Sequence, residues 1–399
     1  MNTFFYLLWS SISLGKLAFS LYTMAMTVAL LSLTGSAVYA SLIMVSHVLG
    51  KLSSTFLFPF ISEKYSLNKI LSVSLLVQVI LIVLIAISAN VEVNELWISL
   101  MMIYLLIGLA GFADGFISPA RISLVPAIVS TGQIGRANSY ISTTDQLFLL
   151  LGWSLGAAAI SEFGFMRVLA VSIVLLSLSF ICSVQIKINT IKTVKKRPKL
   201  DVIKEGWTYL FGPKNNMRTI TMMDILEGIA SGIWIGGISL VFVMDVLGKG
   251  EDWWGYINAA YCAGSIMGGL LMVRYAVKVD KYLMKGILIG SFGVSFLLFI
   301  YSINYTAWIA LALVAIMGPF YQLRDISQQT YIQKVTPPNV LTKLYAAKDN
   351  LYYVTFALSV FSMGLISDRI GIAYVYYLAS FLYLTSSIFA FIAFKKQPL

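Results

Sequence analysis

About twelve runs of bilayer-spanning length succeed one another along this chain, and each stays apolar for close to the roughly 20 helical residues that a hydrocarbon core requires. They fall approximately at 4–32, 37–61, 70–90, 96–128, 136–160, 167–186, 219–247, 254–275, 286–303, 306–333, 343–366 and 372–394. A 399-residue chain that is 59% hydrophobic has too little polar surface for a soluble domain, where the apolar share is about half at most. The sequence therefore predicts an all-α membrane protein. No charged n-region or cleavage site precedes the first run, so a signal peptide is not expected.

The formal charge of +11 invites a nucleic-acid partner, but its placement argues otherwise. About twenty Lys and Arg fall in segments assigned to one side, against Arg167, Lys249 and Arg369 on the other. That asymmetry predicts a multi-pass protein with both termini and the Lys187–Arg218 linker in the cytoplasm. The linker begins as a solvated basic run and ends in an amphipathic piece carrying Val202, Trp207, Leu210 and Phe211, suited to lie at anionic headgroups. Cys182 and Cys262 lie in different halves without metal-ligand spacing and read as packing.

The halves repeat a design. The stretch from Asp114 to Gly164 is two apolar runs joined by the hinge STGQIGRANS, and Ser327 to Gly371 is two runs joined by VTPPNVLTK. The echo is one of hydropathy and landmark position rather than identity. Repeated halves in a membrane protein suggest a transporter. An enzyme is not expected: no Ser/His/Asp or Cys/His set, nucleotide-binding glycine pattern or metal cluster can be assembled around a single histidine. A receptor or scaffold is the competing class, and about twelve ionisable groups at membrane depth weigh against it.

Ser-Pro-Ala-Arg at 118–121, LVPAIV before the hinge and Gly135-Arg136-Ala137-Asn138 resemble the major facilitator superfamily. Within it they look most like the branch of enterobactin-type siderophore exporters and macrolide efflux pumps. QKVTPPNVLTKLY (333–345) and IKEGWTYLFGPKNNMRTI (203–220) extend the resemblance over nearly the whole chain. It implies two pseudo-symmetric six-helix bundles, 1–186 and 219–399, joined by a cytoplasmic linker at 187–218. It also implies a monomeric exporter in the bacterial cell membrane, without cofactor, driven by the proton gradient as an antiporter. The best-guess substrate is a siderophore or other metallophore; macrolide or multidrug efflux, with antibiotic resistance, is the alternative.

The charges inside the runs are the candidate sites. Lys16, halfway along the first run where the superfamily often has an acid, faces a cavity or an acidic partner. His47 and Lys51 share a face of the second run at i, i+4, and the histidine suits either packing or a proton relay. Asp114 and Arg121 share a face of the fourth, about 10 Å apart along the axis. The fifth run carries Asp145 and then LLLGWSLGAAA, which resembles an exporter motif in which Gly152 and Gly156 stand and Trp153 replaces a proline. In the seventh run, Asp224 and Glu227 lie one turn apart, and two carboxylates in low dielectric cannot cheaply both be charged. Proton-coupling candidates are therefore Glu227, Asp224, Asp114, Asp145 and His47, with Lys16 the expected counter-charge of Glu227. Substrate-binding candidates are Lys16, Lys51, Arg121, Trp153 and Trp234. The loop PFISEKYSLNK (59–69) resembles the superfamily's loop 2–3 motif, giving Glu63, Lys64 and Lys69 a gating role alongside Gly152 and Gly156. Arg324-Asp325 and Lys348-Asp349 are expected to form an inner charged cluster.

Overall fold

Backbone that crosses hydrocarbon must bond its own N–H and C=O groups, and a helix does so within one segment. The computed structural model describes residues 1–88, 96–188, 199–213, 216–234 and 236–396, and every regular element among them is helical. In order these are α1 (Thr3–Thr34), α2 (Ala37–Lys64), α3 (Leu67–Ser88), α4 (Leu96–Ile128), α5 (Ile134–Phe163), α6 (Phe165–Val184) and α7 (Lys199–Leu210). There follow α8 (Met217–Ala230), α9 (Gly236–Asp245), α10 (Glu251–Asp280), α11 (Leu283–Ser302), α12 (Ala307–Val335), α13 (Pro338–Ile370) and α14 (Ile372–Lys396).

Among the described residues ten helices are long and apolar enough to cross a membrane, and the bent pair α8–α9 makes an eleventh span. The thirty-residue α5, some of whose side chains lie outside the described residues, carries Asn138, Ser139, Ser142, Thr143, Thr144 and Asp145 in its first half.

The chain-end signals act locally. The Asn2 side chain accepts the Phe5 N–H at 3.0 Å and caps α1. Gly35 ends that helix in the left-handed region (φ 65°), where a side chain would strain the backbone. Pro338 opens α13 with the fixed φ that a first helical turn accepts.

The seventh run corrects an expectation. Read as one span over 219–247, it is two helices, α8 and α9, separated by a 3₁₀ turn at Ser231–Trp234 and bent by 60°. Gly228, Gly232, Gly236 and Gly237 weaken the helix there, and other helices take over the backbone groups that the break releases. Ser359 on α13 accepts the Gly232 N–H at 2.7 Å and donates to the Ile229 carbonyl, while the Tyr376 hydroxyl on α14 donates to Ile233 O at 2.9 Å.

The described residues form two compact units that interleave along the sequence. The first comprises Met1–Ser130, Leu147–Gly206 and Pro338–Ala347; the second comprises Thr131–Gln146, Trp207–Pro337 and Lys348–Leu399. The division at 186 and 219 stands as the sequence expectation, and spatial proximity groups the residues differently. In the first unit α2 packs on α4, α1 on α6, and α3 on both α4 and α6, around Tyr22, Met26, Ile82 and Leu169. In the second, α10 packs on α12, α8 on α14, and α11 on both α12 and α14, around Phe242, Tyr301, Met317 and Tyr376. The same packing scheme thus occurs twice. Each scheme also turns on glycines at its tightest crossing. A Cβ on Gly50 of α2 would lie 2.8 Å from Phe112 N of α4, and one on Gly264 of α10 would lie 2.8 Å from Ala315 C of α12.

Candidate functional site

Each unit holds a cavity lined by several charged side chains, and the charges come from different helices.

In the first unit, the approach of α2 to α4 makes the site. Gly111 and Gly115 lie one turn apart on α4 and flank Asp114. A Cβ on Gly111 would lie 2.8 Å from His47 C and Cα, and one on Gly115 would lie 2.6 Å from Lys51 O. Bare backbone at these two points lets α2 bring Lys51 Nζ to 2.8 Å and His47 Nε2 to 3.9 Å from Asp114 Oδ2. Lys51 and His47 therefore do share a face, and it is directed at Asp114. Asp114 forms its ion pair with Lys51, and Arg121, two turns along the same helix, lies on the wall of the same cavity. Lys16 lines that cavity too, its ammonium 5.6 Å from the Phe19 ring centroid, and Phe19 in turn lies 4.8 Å from His47 ring to ring. The cavity measures about 110 Å³, with Ser11, Gln78 and Ser118 as neutral polar lining.

In the second unit, the i, i+3 pair Asp224 and Glu227 on α8 meets two cations from elsewhere. Arg324 of α12 reaches Glu227 Oε2 at 2.8 Å and Asp224 Oδ1 at 3.1 Å. Lys348 of α13 pairs with Asp224 Oδ2. Gln328 Nε2 donates to Asp224 at 2.8 Å, and Ser386 Oγ of α14 donates to Glu227 Oε1 at 2.9 Å. Glu227, for which the sequence offers Lys16 as counter-charge, makes an ion pair with Arg324: α12 carries its arginine one turn after Phe320, where Gly290 of α11 leaves room for its backbone. Arg324, Asp325, Lys348 and Asp349 line one cavity of about 230 Å³ together with Asp224 and Glu227, and Tyr321, Tyr352 and Tyr383 add phenolic walls.

Other candidates lie outside these two cavities. Asp145 on α5 lines neither. Trp234 stands 5.9 Å from the Tyr261 ring and 6.2 Å from the Tyr301 ring, partly buried against the core of the second unit. Trp153 belongs to the residues whose side chains are not described. A Cβ on Gly152 would collide with the Ser20 side chain, whereas one on Gly156 would sit 3.3 Å from Met24, so the first glycine is the tighter contact between α5 and α1.

The loop 2–3 motif acquires a partner that the sequence did not suggest. Glu63 accepts from Lys343 at 2.7 Å, and Lys343 also donates to Glu205 of α7 at 2.8 Å. Lys343 lies in the VTPPNVLTK hinge, and its side chain is 5% exposed. Lys64 and Lys69 are exposed, with Lys69 over the Tyr65 ring. Among the described residues no cluster of three or more His, Cys, Asp and Glu side chains could hold a metal ion, and Cys182 and Cys262 are unbridged.

The family model of the Major Facilitator Superfamily matches residues 8–347. The chain is 33% identical over 389 residues to the uncharacterized MFS-type transporter YfmI of Bacillus subtilis (strain 168), covering 96% of this chain and 95% of that protein. It is 30% identical to the uncharacterized MFS-type transporter YjbB of the same organism, over 95% and 92% of the two chains. Among solved structures, a bacterial homologue of the iron transporter ferroportin superposes with a TM-score of 0.82 at 11% identity, over 99% of this chain and all of that one. The E. coli fucose:proton symporter FucP does so with 0.71 at 14% identity, over 98% and 99%. At those identities the likeness is one of fold.

Proposed function

We propose that this chain, which belongs to the Major Facilitator Superfamily, is a proton-coupled antiporter that exports a small polar metabolite. Transport and multi-pass membrane residence come with the family; ion, direction and substrate are our reading. The observation that carries it is the network of Asp224, Glu227, Arg324 and Lys348 in one cavity of the second unit. Arg324 is shared by two carboxylates. A proton on Glu227 would remove one of its partners and leave the arginine to Asp224, where Lys348 already competes. Such a network has two arrangements that a proton and a substrate charge would bias in opposite senses, which is the minimum physics of exchange.

Export is supported by the α5 glycines and their resemblance to an exporter motif. A charged metabolite, such as a siderophore or other metal chelator, suits cavities lined by ionised groups better than a lipophilic macrolide does. The excess of basic residues on one side supports a bacterial cell-membrane protein with both termini in the cytoplasm, and we take it to act as a monomer.

The test uses proteoliposomes with an imposed pH gradient, with substrate first identified by comparing spent metal-poor medium from cells with and without the gene. Glu227→Gln keeps shape but cannot titrate. It is expected to abolish uphill export while retaining substrate binding and downhill exchange. Undiminished concentration of substrate by the Glu227→Gln protein would place coupling elsewhere, with Asp114, Asp145 and His47 next to be tested.

A further inference from the structure

We infer that His47 and Asp114 form a proton switch inside the first unit, in which a protonated His47 and the ammonium of Lys51 are alternative partners of one carboxylate oxygen. The switch deepens the reading of this chain as a proton-coupled carrier and rests on that reading for its use in transport.

His47 is the chain's one histidine, the side-chain type whose ordinary titration lies nearest neutral pH. Its side chain is 3% exposed, yet among the described residues Nε2 has no hydrogen-bond partner. Protein interiors rarely leave a polar nitrogen bare, and one left bare calls for a role. Nε2 stands 3.9 Å from Asp114 Oδ2, beyond the reach of a hydrogen bond. That same oxygen accepts from Lys51 Nζ at 2.8 Å. Two cations crowded onto one oxygen in a low dielectric repel each other, so His47 gains a charged hydrogen bond only as Lys51 yields.

Packing decides which atoms can make the exchange. α2 and α4 meet through backbone, with Gly111 admitting His47 and Gly115 admitting Lys51. The main chains are already in contact and cannot slide closer. The movement falls to the side chains of Asp114 and Lys51, each about one-fifth exposed.

Access follows the same geometry. Asp114 and Phe19 line the first cavity and face His47, which lies outside that lining. The cavity of about 110 Å³ has room for several waters, so a proton arriving there meets Asp114 first and passes from it to the imidazole. The charges that act on His47 are Asp114 of α4, Lys51 of α2 itself and Lys16 of α1, whose ammonium lies over the Phe19 ring. Arg121 of α4 and the neutral Gln78 of α3 share the cavity wall, and Tyr22 of α1 feels the Asp114 carboxylate. Lys51 contests the very oxygen that faces His47. A proton on His47 therefore turns Lys51 from Asp114 along the cavity wall, and loss of the proton returns it. The proton is read out as the position of a cation, which supplies the two-state element that a coupled carrier needs.

A chain with one histidine makes the test direct. The full chain is purified through a histidine-free tag after isotope labelling of histidine. Its single imidazole is then followed by nitrogen NMR in detergent from about pH 4 to 8, without a gradient. Lys51→Met should raise the proton affinity of the imidazole by about tenfold or more, and Asp114→Asn should lower it by about as much. Lys51→Arg keeps a cation on Asp114 and should stay within about threefold of the unmodified chain, which separates the exchange from a folding defect. Lys16→Met removes the cation over the Phe19 ring and should change the affinity less than Lys51→Met does. Equal effects of Lys16→Met and Lys51→Met would make His47 a mere sensor of field and overturn the exchange. An imidazole that stays neutral in every variant, or one indifferent to Asp114→Asn, would overturn the switch and leave the Glu227 reading untouched. Undiminished uphill export by Glu227→Gln, with the His47 affinities as expected, would remove coupling from the second unit and support this site.

Discussion

Gly111→Ala adds one methyl group where α4 meets α2, and the structure fixes what that methyl must displace. Its Cβ would run into the His47 carbonyl oxygen, the nearest atom, and would lie 2.8 Å from both His47 C and His47 Cα, whereas carbon atoms at contact stand roughly 3.5–4.0 Å apart. Backbone cannot rotate away as a side chain can, so the helices must separate by at least about 1 Å. Carried to the adjacent ion pair, that shift stretches Lys51–Asp114 from 2.8 Å to about 3.8 Å. At an effective dielectric of about 20 the attraction falls by ~1.5 kcal/mol, and repacking adds a further ~1–3 kcal/mol. Replacing glycine within a helix returns about 1 kcal/mol. The net expectation is a loss of ~2 kcal/mol, read as a fall in Tm of roughly 2–3 °C for the detergent-solubilised chain. Gly108→Ala, one turn earlier on the same helix, is the internal control. Its Cβ would meet only Ser46 O at 3.6 Å, an ordinary contact, so that substitution should be neutral or mildly stabilising. If the two alanine variants unfold at the same temperature, the close α2–α4 crossing does not set the geometry of the first cavity.

Lys343→Met should destabilise the first unit by ~2–4 kcal/mol, because Glu63 and Glu205 lose the cation they share; the figure is reduced for their partial exposure. Adding Glu205→Gln to that variant should restore part of the loss in thermal unfolding, and no recovery would mean the lysine does not hold both acids. A cysteine replacing Lys195 should resist an impermeant thiol reagent in intact cells, while one replacing Lys249 should label. Labelling at 195 would reverse the orientation and every gate assignment with it.

The legible part of this molecule is what one helix decides alone. Spans, hinges and the internal repeat follow from hydropathy and turn residues, and the i, i+4 face of His47 and Lys51 and the i, i+3 pair of Asp224 and Glu227 follow from helix geometry. What the sequence could not supply is which helix meets which. Arg324 lies 100 positions from Asp224 and reads locally only as the neighbour of Asp325, so its pairing with Asp224 and Glu227 carries no mark in the sequence. Lys343, 280 positions from Glu63, carries no local mark of its role. Gly111 and Gly115 did carry a signal, two glycines bracketing an acid at membrane depth, and it points to close approach once the approaching helix is known. The break between α8 and α9 was hidden because glycines in an apolar run raise no hydropathy alarm.

That break has a consequence for the order in which the protein is made. The backbone groups it releases are satisfied by Ser359 and Tyr376, which follow their partners Gly232 and Ile233 by 127 and 143 residues. At about 5–20 residues per second, the ribosome delivers them roughly 6–30 seconds after the seventh segment has emerged. Through that interval the bilayer offers no substitute for the missing hydroxyls. An unbroken helix is therefore the state expected of the segment through that interval, with the bend completed once α13 and α14 supply their hydroxyls. A nascent chain stalled before residue 359 would show this as ordinary helical protection of the Gly232 and Ile233 amides, and protection already lost at that stage would speak against it. The seventh span is then a part whose final shape is specified by sequence that does not yet exist when it enters the membrane.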